Sequence, residues 1–500
     1  MIQDRIKGEN LRKKLATAED ASHLIKDGMI IGTSGFTPSG YPKEVPLALA
    51  KRVEESNENL SITLITGASV GDELDGELSK RNIIKKRLPY QTNNYCRDSI
   101  NNGYIDFVDL HLSHLPQYIN CGFLGKIDLA IVEAIEISEE GYIVPSTSVG
   151  ITPAIVRQAE KIIVEINTSQ PMDLIGIHDI YEVKNPPYRE PIPIIKASDR
   201  IGHKYIPIDV NKVEAIVVTD KKDNVRPFNP INENHIKMAN YLIEFLKHEI
   251  KVGRLPKKLF PLQAGVGSVA NAVLQGFKNS NFENLDFYTE VIQDSILDLI
   301  DVGKVNIVSG TSVTLSPEGL EKFYKNLKLY NEKIILRPQE ISNNPEVIRR
   351  LGVIALNTAV EVDIFGNVNS THILGRNMVN GIGGSGDFAR NSYLSVFFTE
   401  STAKNGKIST VVPFASHVDH TEHDVDVIIT EEGIADLRGL SPKERALSII
   451  NNCSNSYFRP LLMDYYKTAT KAYKSHTPHL LKEAFYFHEI LDKHGSMRIN

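Results

Sequence analysis

The stretch NLDFYTEVIQDSILDLID, residues 284–301, decides how the rest of the chain is read. Phe287-Tyr288-Thr289 and Val291-Ile292 are aromatic and β-branched, types that fill a pleated, half-buried surface, so they read as a strand. Asp294 and Ser295 then offer a helix start, with apolar residues following through Ile300. A strand running into a helix is the repeating step of an α/β fold. It also leaves an ionisable residue, Glu290, at or near the carboxyl end of a strand in a mostly apolar run. Such a carboxylate pairs with a buried Lys or Arg, serves the helix start, or does chemistry. Position alone does not separate these.

The same rhythm extends in both directions. Residues 29–32, 60–65, 127–132, 161–166 and 213–218 are strand candidates, with helix-like segments at 42–55 and 153–160 between them. Residues 171–193 contain five prolines and read as a long loop. After a polar, turn-rich stretch at 220–230, the pattern resumes: helix 236–251, strand 259–262, helix 268–277, then the Glu290 strand. Further strands are predicted at 305–308, 333–336, 410–413 and 425–430. The fold class is therefore α/β with largely parallel sheets. At 500 residues the chain exceeds what one core usually serves. The turn-rich stretch divides it into an N-terminal domain, 1–223, and a C-terminal domain, 224–500, that carries Glu290.

Composition narrows the function. The chain is 41% hydrophobic and 24% charged, with a net charge of −6. That balance is ordinary for a globular protein and argues against non-specific nucleic-acid binding. Cys96, Cys121 and Cys453 are widely spaced, with neither a metal-type pair nor a disulfide framework, which suits a reducing compartment. No apolar run approaches the roughly 18 residues of a membrane span, and the N-terminus lacks an apolar signal region. These features predict a cytoplasmic protein without a membrane partner.

Three glycine loops accompany the carboxylate. Gly265-Val-Gly267-Ser-Val-Ala270 follows a strand and opens a helix, with Glu290 twenty residues beyond Ala270. This spacing matches a dinucleotide-binding fingerprint, a reading the residues alone leave open. Asn380-Gly-Ile-Gly-Gly-Ser-Gly386 holds four glycines in six residues, a backbone built for close approach or positive φ, or simply a tight surface turn. Gly32 to Pro42 forms a third loop, a turn or a binding rim. Backbone N–H groups in such loops can form an oxyanion hole, and a carboxylate in reach of one can act as a covalent nucleophile. That pairing suits acyl transfer from a thioester. His417, His420 and His423, with Asp419, could supply metal ligands, but the run matches no standard zinc pattern, and a hydrogen-bonded loop is the stronger reading. Lys404 and Lys407 are either solvated or pair with phosphate.

The segments AGVGSVANAVL (264–274), YTEVIQDS (288–295) and NGIGGSGDFARNSYLS (380–395) closely resemble the acetyl-CoA hydrolase/transferase family. So do GTSGFTPSGYPKEVP (32–46), VEAIEISEEGYIVPSTSVG (132–150), GNVNSTHILG (366–375), HVDH (417–420) and TEEGIADLRGLSP (430–442). Long, ordered segments are more specific than any glycine motif, and they favour this family over a dinucleotide site. The resemblance implies two similar open α/β CoA-transferase (NagB/RpiA-like) domains and a homodimer. It implies Glu290 as the nucleophile and the backbone amides of Val266 and Gly384 as the oxyanion hole. It implies Asn343 and Glu431 as residues that contact or orient the glutamate. Pro261, Leu262, Gln263, Ala264, Gly265, Asn380, Gly384 and Lys404 match positions that contact coenzyme A, here a substrate. No metal is implied. The activity to expect is CoA exchange between an acyl-CoA and a short-chain carboxylate, with an acyl-CoA hydrolase as the near alternative. A binding protein that senses acyl-CoA without turnover is the alternative from another class. The turn Thr37-Pro38-Ser39 is the candidate for acceptor choice.

Overall fold

The computed structural model describes residues 2–225 and 230–498. The expected domain boundary falls in the turn-rich stretch, of which residues 226–229 lie outside the described residues. Packing gathers the chain into two compact units: Met1–Pro227 with Asp286–Leu351, and Phe228–Leu285 with Gly352–Asn500.

The first unit is built on a seven-stranded sheet ordered Val213–Thr219, Lys161–Asn167, Leu129–Ala134, Ile30–Thr33, Ile62–Ile65, Ile84–Leu88, Asp106–Phe107. Every pairing in it is parallel. The strand Leu129–Ala134 is buried at all six positions, as a strand covered on both faces must be. Helix Glu44–Ser56 sends Val45, Leu49 and Val53 into the core, where they join Leu64 and Ile131. The stretch 286–351 belongs here because it exchanges backbone hydrogen bonds with the N-terminal residues. Val313 N–H donates to the Thr147 carbonyl (2.8 Å), Val149 to Thr311 (2.9 Å), and Asp179 to Leu336 (2.8 Å). Within it Val305–Gly310 and Ile334–Leu336 pair in parallel. The proline-rich region 171–193 holds one short 3₁₀ turn, Met172–Leu174, and no longer helix.

In the second unit Leu262–Ala264, Ile354–Thr358, Leu394–Phe398 and Val427–Thr430 run parallel in that order, and Gly433–Asp436 closes the edge antiparallel. Helices Glu233–Lys251 and Ser268–Asn279 flank the sequence of the first strand. That strand begins three residues later than predicted. Leu259 takes a left-handed φ of 60° in a turn closed on the Pro256 carbonyl, and Pro261 has no N–H to donate, so pairing starts at Leu262. The predicted strand at 410–413 is only Val411–Val412, in a small side sheet with Glu361–Asp363.

Candidate active site

Glu290 lies where the chain changes sheets. Leu285–Tyr288 ends just before it, and Val291–Ile292 leaves to pair with Ser312–Val313. The Glu290 carbonyl accepts from Thr311 N–H (2.8 Å) and Ser312 N–H (3.2 Å), while Thr289 N–H donates to the Ser309 carbonyl (2.9 Å). The backbone is thus pinned on both sides of a partly exposed side chain. Gly310 makes this possible: a Cβ there would stand 3.1 Å from the Glu290 carbonyl oxygen and 3.2 Å from Ile292 Cγ1.

Asn343 Nδ2 donates to Glu290 Oε1 at 2.7 Å. Asn343 is fully buried and follows the short helix Gln339–Ser342. Ser342 Oγ donates to its Oδ1 (2.8 Å), which commits the oxygen and turns the NH₂ toward the glutamate. The helix itself is tied down at three points. Gln339 Nε2 donates to the Leu112 carbonyl (2.8 Å), Gln339 N–H to Gly150 (3.0 Å), and the Tyr288 hydroxyl to Ile341. Glu340, on the same helix, is buried, and burial pushes its carboxyl up to about 7. The Thr37-Pro38-Ser39 turn reaches the strand that pairs beside Glu290: Ser39 Oγ donates to the Val313 carbonyl (2.7 Å), and Thr37 bonds Thr314.

The second unit holds the other candidate residues. Gly265 N–H donates to the Leu356 carbonyl (3.0 Å), and a Cβ on it would lie 3.4 Å from that oxygen. Gln263 is buried and its side chain is spent within the sheet, accepting from Leu356 N–H (3.0 Å) and donating to Asn357 (3.3 Å). Val266, by contrast, is 42% exposed at the tip of the loop. Gly267, with φ 122°, opens helix Ser268–Asn279. Gly384 likewise precedes helix Ser385–Asn391, and Asn380 Oδ1 accepts from Gly381 N–H (2.8 Å). Gly381 and Gly383 need left-handed φ values of 136° and 59°. The first N–H groups of a helix have no partner within it and favour anions. Lys404 is exposed in the turn joining Thr402–Ala403 to Ile408–Ser409. The Glu431 carboxylate holds Ser401, at the base of that hairpin, by its N–H (2.7 Å) and its hydroxyl.

Glu290 and Asn343 are therefore in direct contact, while Pro261–Val266, Asn380, Gly384, Lys404 and Glu431 are arranged within their own unit. Sequence reasoning passed over Gly310, Ser342 and Ser401. Gly310 and Ser401 matter through partners distant in sequence, and Ser342 through Asn343, whose own partner is 53 residues away, so no local pattern marks them. Among the described residues no group of three or more His, Cys, Asp or Glu side chains is placed to hold a metal, and no helix is long and apolar enough to cross a membrane.

Solved structures show the same fold. The chain superimposes on a RipA mutant structure with a TM-score of 0.74 at 23% identity, covering 92% of this chain and 98% of that one. It superimposes on 4-hydroxybutyrate CoA-transferase from Porphyromonas gingivalis with a TM-score of 0.63 at 20% identity, covering 91% and 98%. The architecture is thus that of the CoA-transferases. Residues 1–218 match the acetyl-CoA hydrolase/transferase N-terminal domain and residues 319–466 the C-terminal domain. The chain belongs to the acetyl-CoA hydrolase/transferase family and is a CoA-transferase-type enzyme. It is 55% identical to succinyl-CoA:acetate CoA-transferase of Clostridium kluyveri, over all of this chain and 93% of that protein. It is 45% identical to an acetyl-CoA hydrolase of Candida albicans, over all of this chain and 98% of that protein.

Proposed function

We propose that the enzyme moves CoA between an acyl-CoA and a free short-chain carboxylate, with succinyl-CoA and acetate giving acetyl-CoA and succinate as the pair to test first. The observation that carries this reading is the 2.7 Å bond from Asn343 to a pinned, partly exposed Glu290 carboxylate. A Glu290 oxygen attacks the thioester carbonyl carbon, the C–S bond breaks, and CoA leaves as thiolate. The product on the enzyme is a mixed anhydride. The thiolate then attacks the glutamyl carbonyl carbon, the C–O bond to the first acyl group breaks, and the first carboxylate departs. An incoming carboxylate attacks the glutamyl-CoA thioester and expels the thiolate, which attacks the new acyl carbon and restores the Glu290 carboxylate.

Chain residues contribute at defined points. The amides of Val266 and Gly384 stabilise the oxyanion, one such donor being worth about 10²–10³ in rate. Asn343 orients the carboxylate as nucleophile. Once Glu290 is acylated, the same N–H polarises the glutamyl carbonyl for thiolate attack. Glu431 acts through Ser401 and the Lys404 hairpin. Pro261 to Gly265, Asn380, Gly384 and Lys404 bind CoA, whose remote contacts supply the binding energy that positions a weak nucleophile. No metal enters the scheme. We further propose a cytoplasmic homodimer whose sequence domains meet near 223/224, with residues 286–351 of the second packed into the N-terminal unit.

Adding acetate to enzyme and succinyl-CoA tests the reading. Acetyl-CoA formation supports it. Free thiol release without acetyl-CoA supports hydrolysis, the activity in the name of the Candida albicans relative. Intact-protein mass spectrometry with peptide mapping must place a CoA adduct on Glu290; an adduct elsewhere removes the assignment.

A further inference from the structure

The histidine-bearing run has no part in the chemistry above, yet one of its members is built into the second unit. His420 is 2% exposed, and its ring packs 4.8 Å from that of Phe397, on a strand of the parallel sheet. Its backbone is tied to Val368 in both directions, at 3.0 and 2.8 Å. His420 Nε2 lies 3.1 Å from Ser385 Oγ and 3.3 Å from Ser370 Oγ. The Ser385 hydroxyl donates to the Ile382 carbonyl (2.6 Å), and the Ser370 hydroxyl to the Asp419 carboxylate (3.2 Å). Each serine has only one proton to give, so both oxygens face His420 as acceptors. A hydrogen on Nε2 points at both of these oxygens.

Asp419 secures the far side of this arrangement. Its carboxylate accepts from Ser370 N–H (2.6 Å) and Thr371 Oγ1 (2.8 Å), and it pairs with His417 Nε2 (3.2 Å). The chain of bonds from His420 through Ser385 to Ile382 therefore closes across Gly383 and Gly384. A turn with four glycines in six residues is intrinsically loose, because glycine restricts the backbone least. Left unbraced, the Gly384 N–H would sample many directions.

We propose that His420 is a positioning residue: through Ser385 it fixes the direction of the Gly384 amide. This inference rests on the assignment of that amide to the oxyanion hole. His420→Phe keeps the ring against Phe397 but removes the donor. It should slow single-turnover formation of the Glu290–CoA adduct by about 10- to 100-fold, a fraction of one full oxyanion donor. CoA affinity, measured by calorimetry, should fall much less than the rate of adduct formation, since Gly384 is one of several CoA contacts while the oxyanion bond forms fully only in the transition state. His420→Gln places an amide N–H near Nε2 and should recover most of the rate. Ser385→Ala should reproduce the loss, and the double variant should lose no more than either single one, as expected of residues acting through one bond.

Adduct formation at the wild-type rate in His420→Phe would overturn this inference alone. So would fully additive losses in the double variant, or a His420→Gln enzyme as slow as His420→Phe. Should His420→Phe not fold, the Ser385→Ala and His420→Gln pair decides on the same criteria. Absence of any Glu290 adduct from the wild-type enzyme would overturn the nucleophile assignment and this inference with it.

Discussion

At the scale of the residue, one amide holds the carboxylate proposed as nucleophile. Asn343→Ala deletes the 2.7 Å donor to Glu290 and should lower kcat about 10²-fold, with Asn343→Asp at least as slow because it places a second carboxylate beside the first. Steady-state kinetics with succinyl-CoA and acetate checks both. Glu340, three residues earlier, makes a separate prediction about stability. Its folded carboxyl is pushed up to about 7 by burial, above its ordinary value of 4.5, so the native state holds a proton that the unfolded chain has released. Its stabilising contribution is complete below about pH 4.5 and is lost as pH rises through about 7. Glu340→Gln should flatten the fall in urea midpoint between about pH 5 and 8, measured at matched temperatures. Glu290 was legible in the sequence because a carboxylate stands out among Phe287, Tyr288, Val291 and Ile292. Ser342 was not, since a serine beside an asparagine becomes meaningful only once Asn343 is seen to face Glu290.

At the scale of the element, helix Glu44–Ser56 shows how an end can be satisfied from outside. Lys43 precedes it and supplies no side-chain cap. Glu165, from strand Lys161–Asn167, accepts instead from the N–H groups of Lys43 (2.7 Å), Glu44 (3.2 Å) and Val45 (2.7 Å). Burial pushes this carboxyl up to about 7, with the three N–H bonds opposing the rise. Glu165→Ala strands three backbone donors, two of them buried, and should cost about 2–4 kcal/mol, read from guanidinium unfolding. The helix and strand were each visible in sequence, the first from its apolar spacing and the second from its β-branched run. Their capping contact was not, because it joins positions more than a hundred residues apart. The late start of Leu262–Ala264 has a similar cause: the apolar run at 259–262 was clear, but a left-handed Leu259 and a proline without an N–H delayed its pairing.

At the scale of the whole molecule, a buried charge cluster gathers segments from across the N-terminal 223 residues. Lys43 Nζ contacts the Tyr41 carbonyl (2.8 Å), Glu133 (2.6 Å) and Asp223 (3.0 Å), with no exposure of its side chain. Burial alone would lower its pKa, but the two carboxylates outweigh that and hold the ammonium above its ordinary range. Ser146 and Asn167 donate to Glu133, and Thr147 to Asp223, so the cluster is satisfied on all sides. Lys43→Met leaves two buried carboxylates facing one another and should destabilise the protein by about 3–5 kcal/mol in denaturant titrations. Adding Glu133→Gln should restore part of that loss. The cluster also anchors the loop whose Ser39 bonds Val313, so Lys43→Met should depress kcat even below its melting temperature.

What the sequence determined by itself was the alternating α/β rhythm, the carboxylate at a strand end, the glycine turns and the family, because these are written in local residue types and ordered motifs. Only the tertiary structure decided that residues 286–351 pack with the N-terminal unit, that Asn343 donates to Glu290, and that His420 sits against Ser385. Those facts depend on hydrogen bonds between positions far apart in the chain, and a contact of that kind leaves no period, spacing or composition for a linear reading to find.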